Sequence, residues 1–496
     1  MNPQIRRLFY VFALLFVALV GISSYWLWKA PDLEARRGNP NLIVRQLTIK
    51  RGIIYAADGK TVLAENRAKR QKEIGRTWYL RRYPERDLAA HPVGYSTIER
   101  SRSGLEKALN DYLTGSNANL DTVIDRTLDK LRGVTQQGND VVTSLDVRGQ
   151  RAAMRLLAGK CGAAVALEPA TGRVLVMASQ PSFDPNLVEN RFNRAARAPN
   201  APCEPGAPLL NRATQGRFIP GSTFKVVTAA AALDSGKFNP SSRFNDPGYC
   251  VEYGKRVFNY ADQSGPNVFG SVDFGDAVEN SINSVFCEIG KRLGADAIIE
   301  AMRRFGFYEE PPLELPADEV TPSGLYSKGR LFSPKDPNAV DPGRLAFGQE
   351  RLQVTPLQMA MLAGAIGHGG VVMKPHLVER VVSPTGRIVV TTRPQELGRA
   401  VSRETAAAIT EGMAAAVQSG TSTAAQIPGV EVAGKTGTAE SGVARVNTTS
   451  FITFAPVGSP RVAIAVFLEE QRGVGGTTAA PIAKAVMEAL LSEART

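Results

Sequence analysis

Histidine is nearly missing from this chain: His91, His368 and His376 are the three in 496 residues. Cysteine is scarce as well, and Cys161, Cys203, Cys250 and Cys287 include no pair spaced as CxxC. Without such clusters there is no spacing suited to a metal site, and neither metal nor cofactor is expected. No module of interleaved aromatic and basic residues appears, so nucleic acid is not an expected partner. Only one apolar stretch is long enough to cross a membrane.

That stretch is Leu8 to Trp28, which holds no charged side chain. Arg6 and Arg7 precede it, and Tyr25, Trp26 and Trp28 crowd its far end like an interfacial belt. A cleaved signal peptide is the alternative, but no small-x-small cleavage site follows before Pro31. A retained anchor is favoured, and the positive-inside rule then puts Met1 in the cytoplasm and everything after Lys29 outside. In that compartment the four cysteines are free to pair, in three possible full pairings, or to serve as small buried hydrophobes. The preferred single bridge is Cys250–Cys287, because both flank the Ser281 region.

The length predicts two or three domains. The net charge of +12 is unevenly spread, since Lys29 to Asn110 holds 18 Lys/Arg against 9 Asp/Glu. A polyanionic surface near a membrane is the partner this excess suggests, and a solvated basic face is the alternative. Within that region Arg51 to Ala64 has the pattern of a hairpin turning at Asp58-Gly59. Ser103 to Leu113 predicts an amphipathic helix, and Asp140 to Leu145 a strand. Asp146 is placed to cap a helix through Leu157. The division expected is residues 1–30 as tail and anchor, 31–155 as an α+β pedestal, and 156–496 as a catalytic domain.

The character changes at Cys161. Gly162–Glu168 and Arg173–Ser179 are nearly continuous apolar runs joined by a tight turn, as expected of central strands covered on both faces. Val430–Thr438, Ser450–Pro456 and Arg461–Glu469 predict three more strands, and a helix follows from about Ala480 to Glu493. The fold class expected is mixed α/β: a five-stranded antiparallel sheet flanked by terminal helices. The intervening segment, Asp234 to Glu411, reads as a second, all-helical lobe, with the active site in the groove between the two.

The chemistry centres on Gly216-Arg217-Phe218-Ile219-Pro220-Gly221-Ser222-Thr223-Phe224-Lys225, which turns into a strongly apolar helix. Ser222 would sit at the helix N-terminus with Lys225 one turn on. In a dry setting a neutral lysine is able to deprotonate the hydroxyl, giving a nucleophile and its general base. Ser281-Ile282-Asn283 offers a hydroxyl to relay a proton and an amide to hold a substrate amide. A helix cap is the bland alternative there. Lys435-Thr436-Gly437-Thr438 would lie on an edge strand to which a peptide could add. Lys435 supplies positive potential, Thr436 and Thr438 hold a carboxylate, and Gly437 allows close backbone approach. The backbone N–H groups of Ser222 and Thr438 would form an oxyanion hole.

These three motifs, in this order, resemble the active-site set of penicillin-binding proteins. Phe347–Glu350 with Val354–Ala360, Arg51–Ile54 and Ser103–Glu106 resemble further pieces of the monofunctional class B type. The ~120 residues between anchor and Cys161 are too few for the glycosyltransferase domain of class A. The resemblance implies D,D-transpeptidation of peptidoglycan stem peptides ending in D-Ala-D-Ala, through an acyl-enzyme that β-lactams mimic. It also implies a membrane glycan polymerase as partner. A D,D-carboxypeptidase, a β-lactam-hydrolysing enzyme or a non-catalytic β-lactam sensor of the same fold are the alternatives.

Overall fold

The uncharged stretch near the N-terminus forms one long helix, α1 (Pro3–Glu34). Its segment Pro3–Trp26 is long and apolar enough to cross a membrane, and none of it is buried against the rest of the chain. The computed structural model describes residues 3–34, 44, 46–71, 75–98, 101–116, 136–259, 261–262, 265–334, 336, 339–440 and 446–492.

The hairpin expected at Asp58 is present, with β1 (Ile54–Tyr55) antiparallel to β2 (Val62–Gln71). The Asp58 carboxylate accepts from the N–H groups of Lys60 and Thr61, both at 2.8 Å, which closes the turn locally. β3 (Arg76–Arg82) and β4 (Asp140–Thr143) complete the near part of this sheet. Asp146 caps α2 (Val147–Leu157) by accepting from Arg148 N and Gly149 N.

The two apolar runs form β5 (Cys161–Leu167) and β6 (Val174–Gln180), antiparallel to each other. The nucleophile region leads into α3 (Lys225–Asp234), and beyond it come α4 (Asn283–Leu293) and α5 (Pro356–Gly367). Two further strands, β7 (Val378–Val382) and β8 (Ile388–Thr391), precede α6 (Arg403–Gln418). The chain ends with β9 (Ala433–Glu440), β10 (Asn447–Ala455), β11 (Val462–Gln471) and α7 (Gly475–Leu491).

The second sheet runs β9-β10-β11-β5-β6, antiparallel throughout, with two strands from before the nucleophile helix and three from after it. Every residue of β5 is buried. Its neighbour β11 is buried from Val462 to Leu468, because helices cover both faces. On one face α2 and α7 meet over Gly149, where a Cβ would lie 2.6 Å from the Leu490 side chain. On the other lies α5, whose Gly364 and Gly367 fit against Leu167 and Phe454. Thr355 caps α5 and Pro356 occupies its first position.

Two expectations need correction. The segment from Asp234 to Glu411 is not all helical, since short strand pairs are interleaved with its helices. Tyr249–Glu252 pairs with Lys255–Phe258 through Tyr253-Gly254, where both residues have positive φ (48° and 73°). Gly324–Ser327 pairs with Arg330–Leu331 through Lys328-Gly329 in the same way. Two-residue turns of this kind match strand twist, and a glycine in second place marks them. The strands β7 and β8 leave this segment altogether and join the N-terminal sheet, whose order is β8-β7-β4-β1-β2-β3. The pairing of β7 with β4 spans more than 200 residues of chain, so no local pattern announces it.

The second correction concerns the cysteines. The disulfide joins Cys161 to Cys203, with Cα atoms 6.0 Å apart, while Cys250 and Cys287 are free thiols. Cys161 opens β5, and Cys203 lies in the Pro-rich loop before the nucleophile. The bridge therefore pins that loop to the central sheet. Non-reducing peptide mapping is expected to recover one linked pair, Cys161 with Cys203. Maleimide is expected to label Cys250 and Cys287 once the chain is denatured without reductant. A Cys250–Cys287 linked peptide as the main species would contradict this assignment.

Candidate active site

The nucleophile stretch is a loop tied down on both sides. Phe218 exchanges backbone hydrogen bonds with Val354 at 3.0 and 2.8 Å, and Gly221 N donates to Gly348 O at 3.1 Å. Pro220 ends the loop, Gly221–Phe224 makes one 3₁₀ turn, and α3 starts at Lys225. Ser222 thus lies one turn ahead of a helix whose residues Lys225 to Ala232 are all buried. Gly348 has φ +78°, and a Cβ there would stand 2.0 Å from Gly221 O, so only glycine lets this strap close on the turn.

Lys225 is 1% exposed. Its Nζ donates to Ser281 O at 2.7 Å and to Asn283 Oδ1 at 2.6 Å, and lies 3.2 Å from Ser281 Oγ. The same Nζ sits 5.3 Å from the centre of the Phe286 ring, one turn further along α4. Ser281 takes a left-handed backbone (φ +55°) between two helices, an arrangement that costs roughly 1–3 kcal/mol for a non-glycine residue. It aims both the carbonyl and the hydroxyl of Ser281 at Lys225. Asn283 opens α4 and its Nδ2 donates to Phe258 O at 2.8 Å. The helix-cap alternative fails, because the N-cap is Ile282 and no side chain caps the helix.

Lys435, Thr436, Gly437 and Thr438 lie on β9, the sheet's edge strand. Lys435 is 0% exposed and among the described residues its Nζ has one hydrogen bond, to Thr436 O at 3.3 Å. Thr436 Oγ1 donates to Thr421 Oγ1 at 3.1 Å, and Thr438 Oγ1 accepts from Gly475 N at 3.2 Å. Gly437 is needed for a reason other than room for a substrate. A Cβ there would meet Ser450 Oγ at 2.2 Å and Pro220 O at 2.5 Å. Its absence lets the strand press against the nucleophile turn, where Thr438 O lies 2.7 Å from the position of a Gly221 Cβ.

All eight residues singled out from the sequence therefore converge. Ser222, Ser281, Asn283 and Thr438 are half-buried and reachable, while Lys225 and Lys435 are enclosed behind them. Burial first, then the charge of Lys435, holds the Lys225 amine well below the usual lysine range. Burial takes Lys435 down to about 7. Such a pair favours a neutral amine one turn from the Ser222 hydroxyl, which itself has no hydrogen-bond partner among the described residues.

These features identify a family. A family model for the penicillin binding protein transpeptidase domain matches residues 162–488, and one for the penicillin binding protein A dimerisation domain matches 51–141. The chain belongs to the penicillin-binding proteins. It is 33% identical over 510 residues to the peptidoglycan D,D-transpeptidase PbpA of Mycolicibacterium smegmatis, covering 99% of this chain and 100% of that one. The PbpA of Mycobacterium tuberculosis (strain H37Rv) is likewise 33% identical over 514 residues, with 99% of each chain covered. The structure of penicillin-binding protein A from M. tuberculosis as a ceftriaxone acyl-enzyme complex superposes with a TM-score of 0.78, covering 91% of this chain and 100% of that one.

Sequence reasoning missed the penicillin-binding protein's supporting shell. Gly348 straps the nucleophile turn, Thr421 and Gly475 brace β9, and the hairpin at Tyr249–Phe258 anchors Asn283. The signals were Gly348 after Phe347 and the Tyr253-Gly254 turn. Cys250 and Glu252 of this hairpin and Cys287 of α4 bring three donor atoms within 4.8 Å of one another. The Cys287 thiol donates to Glu252 Oε1 at 2.7 Å, and its pKa is raised by the hydrogen bond with Cys250 and by burial. Lys291 Nζ stands 2.7 Å from the same carboxylate oxygen, which already supplies the cluster with a cation.

The depressed pKa of Lys435 has a stability consequence. Between about pH 7 and the ordinary lysine value near 10.4 the unfolded chain binds a proton that the folded chain does not, so stability rises with pH across that window. Below about pH 7 the full cost of the buried charge is present. Lys435→Met removes the group, so its Tm relative to the parent is expected to be most favourable near pH 7 and to fall toward pH 10. A Tm difference independent of pH between 7 and 10 would refute the shift.

Proposed function

We propose that the chain is a peptidoglycan D,D-transpeptidase that works through an acyl-enzyme on Ser222. The reading is carried by one observation: a fully buried Lys225, bonded to Ser281 and Asn283, stands one turn from an accessible serine against the edge of β9. In the acylation step a neutral Lys225 Nζ takes the Ser222 proton as Oγ attacks the carbonyl of the penultimate D-Ala. Negative charge develops on that carbonyl oxygen, where the N–H groups of Ser222 and Thr438 would meet it. The C–N bond then breaks, and the leaving D-Ala amine takes a proton through Ser281 Oγ and Lys225. A second stem's amine attacks the ester in the reverse sense and frees Ser222.

Asn283 holds the donor's amide, while Lys435, Thr436 and Thr438 receive its terminal carboxylate. The stem adds antiparallel to the open edge of β9. β-Lactams acylate Ser222 as mimics of the same donor. The name of the mycobacterial relatives, peptidoglycan D,D-transpeptidase, supports this substrate class. A single span with Met1 on the cytoplasmic side, a pedestal over 31–155, a catalytic domain over 156–496 and a membrane glycan polymerase as partner belong to the same reading. The apolar α1 and the basic segment that follows it support the membrane setting.

Ser222→Ala is expected to abolish covalent labelling by a fluorescent penicillin without loss of thermal stability. Mass spectrometry of the parent's adduct should place it on the peptide containing Ser222. Lys225→Ala should slow acylation by about two to four orders of magnitude, the usual weight of a general base. Persistent labelling of Ser222→Ala, or ordinary acylation kinetics in Lys225→Ala, would sink the mechanism.

A further inference from the structure

The N-terminal module holds a cavity of about 360 Å³ that the transpeptidase reading does not use. Its size falls in the ~300–1,000 Å³ range of small-molecule sites. Five arginines line it: Arg51, Arg67, Arg81, Arg82 and Arg102. They come from four separate parts of the chain, two of them on β3, so the clustering is a product of the fold.

Three carboxylates answer these five guanidiniums. Glu106, fully buried, takes both Arg51 and Arg81. Glu65 pairs with Arg82 at 3.2 Å, and Glu189, on the cavity wall, accepts from Ile98 N at 2.7 Å. Asp140 feels the charges of Lys50 and Arg81, and with Lys50 it adds no net charge. Among the described residues, five cations against three anions leave two positive charges. Among the described residues Arg102 makes one side-chain hydrogen bond, to Ser96 Oγ at 3.2 Å, and exposed Arg67 has no carboxylate partner. The Arg81 side chain is 4% exposed, and its Nη2 is buried without a hydrogen-bond partner. A buried guanidinium N–H left unpaired is costly, and it points to a missing acceptor.

We infer that this cavity binds a dianionic phosphate group, a phosphomonoester or a pyrophosphate. A planar guanidinium fork matches phosphate oxygens bidentately, and several forks converging on one point suit a doubly charged centre. A single carboxylate would leave one of the two charges uncompensated. Ser96 on the same wall offers a hydroxyl donor, since its oxygen only accepts from Arg102. Gln46, Leu47 and Ile49 also line the cavity, and they belong to the first described stretch after the apolar α1. A phosphate carried on a lipid headgroup and a free phosphate are thus the two sources of the same chemistry. The inference stands independently of the catalytic reading.

The test uses the full-length chain in non-ionic micelles, titrated with sodium pyrophosphate by calorimetry. Saturable one-site binding is expected, weakened about tenfold or more by Arg102→Gln and by Arg67→Gln, the loss of one charged hydrogen bond. Arg67 is exposed, so its variant folds even if Arg102→Gln does not. Unchanged labelling of Ser222 by fluorescent penicillin reports an intact catalytic half. No saturable binding, or parent-like affinity in Arg67→Gln and in any folded Arg102→Gln, overturns the site. Repeating the titration in phosphatidylcholine nanodiscs with and without phosphatidic acid separates the sources. Pyrophosphate excluded by phosphatidic acid assigns the site to a headgroup, and pyrophosphate still bound assigns it to a soluble phosphate.

Discussion

The hydrogen bonds from Lys225 Nζ to Ser281 O and Asn283 Oδ1 give a polar lock to two parts of the molecule whose apolar side chains share one core. Lys225 begins a helix packed within the main core, while Ser281 and Asn283 sit at the junction of two helices of the second lobe. A buried ammonium without partners would cost several kcal/mol. Here it receives a carbonyl, an amide oxygen and an aromatic face, and gives up part of its basicity as well. The left-handed backbone at Ser281 is one consequence, since an ordinary helix-to-helix turn would carry the carbonyl away from the amine.

Close backbone packing supplies the second constraint. Gly437 lets β9 lie against Pro220 and Ser450, and Gly348 lets a strap close over Gly221. Ser450 Oγ donates to Pro220 O at 3.0 Å across the same contact. The nucleophile turn is thus gripped from two sides by main chain, which a side chain at either glycine would force apart. Rigid placement of this kind is what a reaction governed by sub-ångström geometry requires. The disulfide between Cys161 and Cys203 restrains the loop that feeds the turn.

The basic N-terminal module obeys a different economy. Its arginines are organised around one buried carboxylate, Glu106, which also lies close to Tyr83 Oη at 3.4 Å. Strands β7 and β8, supplied by the catalytic half, extend the module's own sheet, so the two halves share backbone hydrogen bonds. A linear division of the chain near residue 155 therefore describes the sequence better than the architecture. α2, which straddles that point, packs on the catalytic sheet.

What the sequence determined by itself was local. Asp58 closes its own turn, Asp146 and Thr355 cap their own helices, and continuous apolar runs announce strands covered on both faces. The order and spacing of the three active-site motifs were also legible, because each needs particular side chains within a few residues. Tertiary structure decided what depends on partners far along the chain. It chose Cys161–Cys203 over Cys250–Cys287, sent β7 and β8 into the first sheet, and set the pKa values of Lys225 and Lys435. Each of those outcomes rests on burial and on contacts more than forty residues apart, for which a short window of sequence carries no energy term.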